Sequence, residues 1–310
     1  MSENLVKIPV IAVVGPTASG KTKLAIAIAK RYNGEIISAD SMQIYKGFPI
    51  ASAAPDNEEK QSAVHHLVEF LEPSEKFSVA DYVSLAGKTI AEVYSKGKLP
   101  IIAGGTGLYI NSLIDGIKFS DQKTDLSLRQ SIEEEFDSLG AEKMLKKLYE
   151  IDKEAAEKLS VGDRRRIVRA LEIYRSTGMT ITEQNRLSKQ VDSPYEPLMI
   201  GITYQDREKL YERINQRVDI MLKKGLLEEA KNAGNKGITA AQAIGHKEFI
   251  PYFNGEVSLE EATDTLKRET RRYAKRQLTW FRRDPRINWI YADKEDPLKR
   301  AFEIIEERMK

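Results

Sequence analysis

Cysteine is absent from the 310-residue sequence, and histidine occurs only three times. The chain therefore cannot form a disulfide, use a thiol nucleophile or hold a cysteine zinc site. No run approaches the roughly 20 apolar residues of a membrane-spanning helix, and no early segment has the length and flanks of a signal peptide. These absences predict a cytoplasmic protein with no membrane partner, whose chemistry relies on carboxylates, hydroxyls, amines and guanidinium groups.

The chain also has little net charge, because 49 basic side chains are offset by 47 acidic ones. The basic residues are nevertheless concentrated in two segments, 164–175 and 267–283, and the second also carries Tyr273, Trp280 and Phe281. Cationic and aromatic side chains in one segment suit the phosphates and bases of RNA. The alternative is a solvated helix face whose aromatic residues lie in the core.

An apolar run at residues 9–14 leads directly into a glycine-rich motif that fits G-x-x-x-x-G-K-[ST]. Glycines at both ends let backbone N–H groups surround an anion, the lysine adds a cation, and the final threonine can ligate Mg²⁺. The sequence therefore predicts a phosphate-binding loop with Thr22 on the metal. Its residues are Gly15, Pro16, Thr17, Ala18, Ser19, Gly20, Lys21 and Thr22.

Strand-like and helical patterns alternate along the first third of the chain. Short apolar runs occupy 9–14, 35–38 and 99–103, with helical patterns at 21–32 and 78–96. This alternation predicts an α/β fold, with a P-loop parallel sheet core flanked by helices.

The pattern changes to charged, amphipathic helices with no strong strand from about residue 124 to 189. It then returns to a strand at 197–204, helices at about 206–224 and 259–282, and a last strand at 287–291. We therefore predict three segments. They are the first part of the α/β core at 1–122, an all-helical insertion domain at 123–192, and a return to the core at 193–310.

Two further segments follow predicted strands, as the P-loop does. Asp40-Ser-Met-Gln43 comes after the strand at 35–38, and Gly104-Gly-Thr-Gly107 comes after the strand at 99–103. In an open α/β sheet, ligands collect outside the carboxyl ends of the strands, so the three segments should converge. Asp40 alone is compatible with a magnesium ligand, a general base or a helix N-cap.

Seven motifs together carry a resemblance to one family. They are GPTASGKT at 15–22, DSMQIYKG at 40–47, HHL at 65–67, GGTGLYI at 104–110, DRRRIVRALEIY at 163–174, QAIGHKE at 242–248 and TRRYAKRQLTWFRRD at 270–284. In order and spacing they resemble the bacterial tRNA dimethylallyltransferases, also called tRNA isopentenylpyrophosphate transferases. The resemblance covers nearly the whole chain.

The resemblance implies transfer of a dimethylallyl group from its diphosphate to N6 of adenine 37 in tRNA. It assigns the diphosphate to the P-loop with Mg²⁺, Arg217 and its neighbour Arg213. Asp40 becomes the base that orients N6 and takes its proton, and Lys21 stabilises the leaving group. Thr106 is expected to form a hydrogen bond near the breaking C–O bond.

The same resemblance implies a set of tRNA contacts, with the insertion closing over the anticodon stem-loop of a monomeric enzyme. The residues are Asp40, Ser41, Met42, Gln43, Thr106, Arg129, Asp163, Arg164, Arg165, Arg166, Ile167, Gln242, Gly245, His246, Lys247, Lys275, Arg276, Gln277, Trp280 and Arg282. Some positions depart from the family's usual spelling. Ala54 and Met179 stand where lysine is common, His246 stands where tyrosine is common, and Ser160-Val-Gly-Asp163 replaces the usual HPND.

Two other functions remain open at this point. A P-loop kinase of a small metabolite shares the strand, cradle and helix, and could use Asp40 as a base towards a hydroxyl. A nucleotide-gated RNA-binding protein without group transfer would account for the basic segments. Neither explains the P-loop, Asp40, Thr106 and the arginine-rich segments together.

Overall fold

The computed structural model describes residues 7–117, 119, 125–188, 192–233 and 243–309. The chain divides into two compact units. The α/β unit comprises Met1–Ile114 and Ser193–Lys310, and the helical unit comprises Asp115–Asp192. The return to the α/β unit falls between residues 192 and 193. The other predicted boundary, between 122 and 123, lies outside the described residues.

Six strands form one parallel sheet in the order β3-β2-β4-β1-β5-β6, which confirms the predicted α/β fold. Apolar β1 lies near the middle and pairs with both β4 and β5, so that Val14 is opposite Gly104 and Gly201. The strands are β1 (Ile8–Val14), β2 (Gly34–Ser38), β3 (His65–His66), β4 (Leu99–Gly104), β5 (Tyr195–Thr203) and β6 (Ile287–Tyr291).

Helices of the α/β unit pack on both faces of this sheet. One core contains Ile37, Ile102 and Tyr82, and another contains Ile28, Ile101 and Ile304. The helices are α1 (Lys21–Arg31), α2 (Pro49–Ser52), α3 (Asn57–Ser62), α4 (Val79–Ser95), α5 (Gly107–Ile114), α11 (Arg207–Lys223), α12 (Leu226–Ala233), α13 (Ile250–Phe253), α14 (Leu259–Phe281) and α15 (Pro297–Met309), with a 3₁₀ turn at Lys247–Phe249.

Helix α14 is the longest of the described helices and borders the functional site. It begins with a capping box, in which the Ser258 side chain accepts from Glu261 N–H while the Glu261 carboxylate accepts from Ser258 N–H. Two buried apolar residues, Leu266 and Ala274, fix one face inward. Its opposite face carries the exposed basic residues of the second basic segment.

The helical unit is built around its own apolar core, which includes Ile132, Phe136, Met144 and Leu171. Its described residues form helices and connecting loops, as the sequence predicted. The helices are α6 (Leu126–Leu139), α7 (Ala141–Ile151), α8 (Lys153–Ala156), α9 (Arg164–Thr177) and α10 (Ile181–Ser188). In the part of the chain that is described, no helix has the length and apolarity to cross a membrane.

The chain leaves the α/β unit after Ile114 and re-enters it at Ser193. These two points are joined directly, because the Ser193 hydroxyl donates to the Ile114 carbonyl oxygen at 2.6 Å. The helical unit is therefore an insertion whose two ends are held together within the α/β unit.

Candidate active site

The P-loop connects the end of β1 to the start of α1. Gly15 and Gly20 have φ angles of 148° and 101°, a region that favours glycine. A Cβ at Gly15 would lie 2.3 Å from the Ile202 carbonyl oxygen, so a larger residue would push the loop away from β5. The Lys21 ammonium donates to the Pro16 carbonyl at 2.7 Å. The loop thus has the backbone geometry of an anion cradle, with a cation beside it.

The loops that follow β2 and β4 meet next to this cradle, because β2, β4 and β1 are adjacent and parallel. Ala39 N–H donates to the Ala103 carbonyl at 2.8 Å, and Thr106 N–H donates to the Ala39 carbonyl at 3.1 Å. Ser41 N–H then donates to Thr106 Oγ1 at 2.9 Å. These bonds bring Thr106 and the segment that starts at Asp40 to the same edge of the sheet.

A cavity of about 320 Å³ at this edge is lined by Lys21, Asp40 and Arg217. Burial and, to a lesser extent, the neighbouring Arg217 lower the Lys21 pKa to about 7, while Asp40 opposes the shift. Burial likewise lowers the Arg217 pKa, again against the pull of Asp40. Two desolvated cations beside one carboxylate make this cavity a favourable place for an anion.

Only one oxygen of Asp40 takes part in the hydrogen bonds seen among the described residues. Its Oδ1 accepts from Met42 N–H at 2.9 Å and from Gln43 N–H at 3.4 Å, which shapes the turn after β2. Oδ2 is left for a ligand. Asp40 can therefore shape the turn through Oδ1 and act as a general base or a magnesium ligand through Oδ2.

The two arginines predicted to bind diphosphate have different surroundings. Arg217 lines the cavity, whereas Arg213, one turn earlier on α11, donates from Nε to the Ala18 carbonyl at 3.1 Å. The Arg213 guanidinium also lies over the Tyr204 ring, 5.4 Å from its centroid. Arg213 therefore holds the P-loop backbone, and Arg217 is the arginine available inside the cavity.

Gln277 lies on the inward face of α14 and is only 6% exposed. Its carbonyl accepts from Thr17 N–H at 2.9 Å, and its amide donates to the Gly105 carbonyl at 2.9 Å. A Cβ at Gly105 would lie 2.2 Å from Gln277 Nε2, which explains the glycine there. Gln277 thus joins the P-loop to the loop after β4. Its side chain also lines the cavity, so its contact with tRNA stays a prediction.

Two more residues that were predicted to contact tRNA form hydrogen bonds or ion pairs within the α/β unit. Gln43 accepts from the Ser38 hydroxyl at 3.0 Å and donates to the Ala53 carbonyl at 3.0 Å. His246 is 2% exposed, with Nε2 3.1 Å from a Glu229 carboxylate oxygen. The His246 side chain is therefore enclosed by the protein, whereas Gln43 is half-buried at the cavity. A tRNA contact at either position stays a prediction.

Glu229 explains why His246 is held at this place. Its two carboxylate oxygens accept from Ile50 N–H and Ala51 N–H, each at 2.8 Å. The same carboxylate meets His246, so it links α12 and the segment before the 3₁₀ turn to α2. Because Ala51 lines the cavity, this network fixes one of its walls.

The remaining predicted tRNA residues of the α/β unit divide by exposure. Ser41 and Met42 are half-buried at the cavity, and Gly245 is buried with its N–H donating to Glu248. Gln242 lies outside the described residues. The exposed members are Lys247, Lys275, Arg276, Trp280 and Arg282.

The arginines at the start of α9, in the helical unit, differ in exposure and in contacts. Arg165 and Arg166 are exposed. Arg164 pairs with Asp137 and lies 4.7 Å above the Phe136 ring. Ile167 is fully buried in the core of the unit, and a tRNA contact at this position stays a prediction.

Asp163 and Arg129 of the same unit also have protein partners. The Asp163 carboxylate accepts from Ser160 N–H at 2.9 Å, which fixes the turn before α9. Arg129 pairs with Glu133 at 3.1 Å and is half-buried. Both groups can still present polar atoms at the surface, because neither is enclosed.

The parallel sheet and the glycine cradle are those of a P-loop α/β protein, and the cationic cavity suits a phosphorylated ligand. A family model described as IPP transferase matches residues 43–284, and one described as isopentenyl transferase matches residues 8–74. The chain therefore belongs to the IPP transferase family, whose curated members compared below carry the name tRNA dimethylallyltransferase.

Curated relatives and solved structures agree with this assignment. The tRNA dimethylallyltransferase of Acetivibrio thermocellus is 52% identical over 93% of each chain, and that of Halalkalibacterium halodurans is 47% identical over 95% of this chain and 94% of its own. The tRNA isopentenylpyrophosphate transferase of Bacillus halodurans is 44% identical, with a TM-score of 0.69 over 97% of this chain and 94% of its own. A eukaryotic dimethylallyltransferase captured acting on tRNA is 29% identical, with a TM-score of 0.84 over 97% and 79%.

Proposed function

We propose that this enzyme transfers the dimethylallyl group of dimethylallyl diphosphate to N6 of adenine 37 in tRNA. The observation that carries the proposal is one cavity in which Asp40 lies beside two half-buried basic side chains, Lys21 and Arg217. A carboxylate suits the amine that attacks, and the cations suit the diphosphate that leaves.

The diphosphate is assigned to the cationic side of the cavity. The P-loop supplies backbone N–H groups, and α1 begins at Lys21 with its positive dipole end towards the cradle. Negative charge grows on the diphosphate as the C–O bond breaks, so preorganised cations stabilise the transition state more than the bound substrate.

The short alkenyl chain is assigned to the apolar part of the cavity lining. Val218, Met221 and Leu266 line the cavity together with small residues such as Ala53 and Ala243. These side chains can cover a five-carbon group without offering it a polar partner. Exclusion of water here also protects the reacting carbon from hydrolysis.

Asp40 is assigned as the base. The N6 amine forms a bond to C1 of the dimethylallyl group, the C1–O bond to diphosphate breaks, and its electron pair leaves with the diphosphate. The N6 proton passes to Asp40 Oδ2, while Oδ1 keeps its contact with Met42 N–H. The turn therefore holds the carboxylate in one orientation during proton transfer.

The residues present fit a magnesium ion carried by the diphosphate. Mg²⁺ commonly binds one or two protein oxygens together with phosphate oxygens and waters. The Thr22 hydroxyl and the Asp40 carboxylate both line the cavity, and the described residues contain no separate group of three His, Asp or Glu side chains that could hold a metal. Thr22 would hold the ion, which would supply neutralisation of the leaving diphosphate.

Each unit presents basic residues that suit an anticodon stem-loop. In the α/β unit, exposed Lys275, Arg276 and Arg282 lie near exposed Trp280 at the end of α14. In the helical unit, Arg165 and Arg166 are exposed. The target adenine must leave the loop stack to reach Asp40, at a cost of a few kcal/mol that phosphate and stacking contacts offset.

Transfer of a C5 unit is the direct test. Purified enzyme, tRNA, Mg²⁺ and dimethylallyl diphosphate are incubated without ATP, and digested nucleosides are analysed by mass spectrometry. We expect one C5 unit on the adenosine at position 37, with a tRNA carrying guanosine at that position as the control. ATP-dependent phosphorylation of a small metabolite would instead favour the kinase, and salt-sensitive tRNA binding without product would favour the binding protein.

We also expect the enzyme to act as a monomer in the cytoplasm, where its tRNA substrates are modified.

A further inference from the structure

Ala18 in the P-loop has a backbone conformation that alanine rarely adopts. Its φ angle is 63°, in the left-handed region where any side chain larger than that of glycine costs conformational energy. The residue belongs to a turn in which Ser19 N–H donates to the Pro16 carbonyl at 3.4 Å, a long hydrogen bond. Ala18 is also buried in a small apolar cluster with Leu210 and Ile214 of α11. Contacts from outside the turn are therefore needed to offset the cost of this conformation.

Two side chains hold this turn from outside. The Gln277 carbonyl accepts from Thr17 N–H at 2.9 Å, and Arg213 Nε donates to the Ala18 carbonyl at 3.1 Å. The Arg213 guanidinium lies over the Tyr204 ring, 5.4 Å from its centroid, which restricts its movement. Arg213 is thus a braced cation whose donor is directed at the backbone of the unusual residue.

The hydrogen bond from Arg213 has an effect beyond one carbonyl group. Because a peptide group is planar, a fixed Ala18 carbonyl also fixes the direction of the Ser19 N–H at the other end of the same bond. Backbone N–H groups of such a loop are the donors that surround a phosphate. The orientation of the cradle therefore depends on a side chain of α11.

We propose that Arg213 is a positioning residue that holds Ala18 in its left-handed conformation and so preorganises the P-loop for diphosphate. This inference rests on the proposed function. The resemblance assigned Arg213 to the diphosphate itself, but of the two arginines only Arg217 lines the cavity. A cradle that already has its binding conformation loses less conformational freedom when the ligand binds, so its affinity is higher.

The test is a double-mutant cycle, measured by calorimetric titration with pyrophosphate in the presence of Mg²⁺. Arg213→Ala should weaken pyrophosphate binding about tenfold, because it removes a hydrogen bond from a charged donor. In an Ala18→Gly background the same change should weaken binding at most about threefold, since glycine adopts a φ angle of 63° without penalty. Arg217→Ala is the matched control and should cause the same loss in both backgrounds, because Arg217 acts on the ligand directly.

Tyr204→Leu provides a second cycle that leaves Ala18 in place. It removes the ring beneath the guanidinium, so it should weaken pyrophosphate binding in the wild type and cause no further loss when combined with Arg213→Ala. Additive losses in this pair would overturn the bracing role of Tyr204. Equal losses from Arg213→Ala with and without Ala18→Gly would overturn the inference itself, because a direct contact between Arg213 and the ligand predicts that result.

The same titrations separate this inference from the proposed function. A wild-type protein that binds pyrophosphate but transfers no C5 unit would contradict the proposed function and leave the role of Arg213 standing. A wild-type protein that does not bind pyrophosphate would overturn both.

Discussion

Lys21 gives the enzyme a pH-dependent affinity for diphosphate. Its pKa is about 7 in the free cavity, against an ordinary value of 10.5, because burial and Arg217 disfavour its charged form. The negative charge of a diphosphate bound beside Lys21 outweighs both effects and raises that pKa. At pH 8, only about one-tenth of the free protein carries a charged Lys21, so binding should draw in about 0.9 proton.

The sign of the effect follows from linkage. The Lys21 pKa is higher in the complex than in the free enzyme, so binding is strongest below pH 7. It should weaken about tenfold per pH unit from pH 7 up to the Lys21 pKa of the complex. Folding shows the opposite dependence, since the folded pKa lies below the unfolded one. The stability of the free protein should therefore rise with pH between about 7 and 10.5.

Calorimetric titration with pyrophosphate at pH 8 measures the proton uptake, through the difference in heat between two buffers of unequal ionisation enthalpy. Lys21→Arg is the matched control, because a guanidinium keeps the positive charge but stays protonated at this pH. Uptake by pyrophosphate itself is common to both proteins, so the difference between them reports on Lys21. Equal uptake by the wild type and Lys21→Arg would refute the reasoning.

Three further changes test other parts of the structure. Asp40→Asn keeps an oxygen for the turn, so we expect kcat to fall roughly 10²–10⁴-fold with tRNA affinity nearly unchanged, and undiminished C5 transfer would reduce Asp40 to a turn residue. Arg276→Ala should weaken tRNA binding and lower its salt slope by about one charge in filter binding, whereas Arg300→Ala on α15 should not alter the slope. Gly104→Ala would place a Cβ 2.1 Å from the Ala39 carbonyl oxygen, so denaturant titration should show a loss of about 1–3 kcal/mol in unfolding free energy, and wild-type stability would contradict the close approach.

Most strands of the sheet could be predicted because they are apolar runs bounded by glycine, proline or charge. β1, β4 and β6 all follow this pattern. β3 could not be found in this way, since a strand of only His65–His66 is too short to show alternation. Its position depends on pairing with β2, where the His66 ring lies 2.7 Å from the Glu35 carboxylate.

Site residues in the loops that directly follow strands could be predicted from the sequence. Site residues on long helices were harder to predict. The structure brings Lys21, Asp40 and Arg217 into one cavity because the strand order places their elements side by side. The buried position of Gln277 was harder to predict, because the basic residues next to it in sequence lie on the outward face of α14. The four-residue spacing between Tyr273 and Gln277 was the available signal, because it places both side chains on one helix face.

The hydrogen bond between Ser193 and Ile114 makes the helical unit separable in principle from the chemistry. The chain enters and leaves this unit at one point, so the sheet would lose only a closed loop if residues 115–192 were exchanged for a short linker. Variation in this segment can therefore change the surface of the helical unit without disturbing the strand register on which the cavity depends. That surface and the cavity are in this way open to separate selection within one polypeptide.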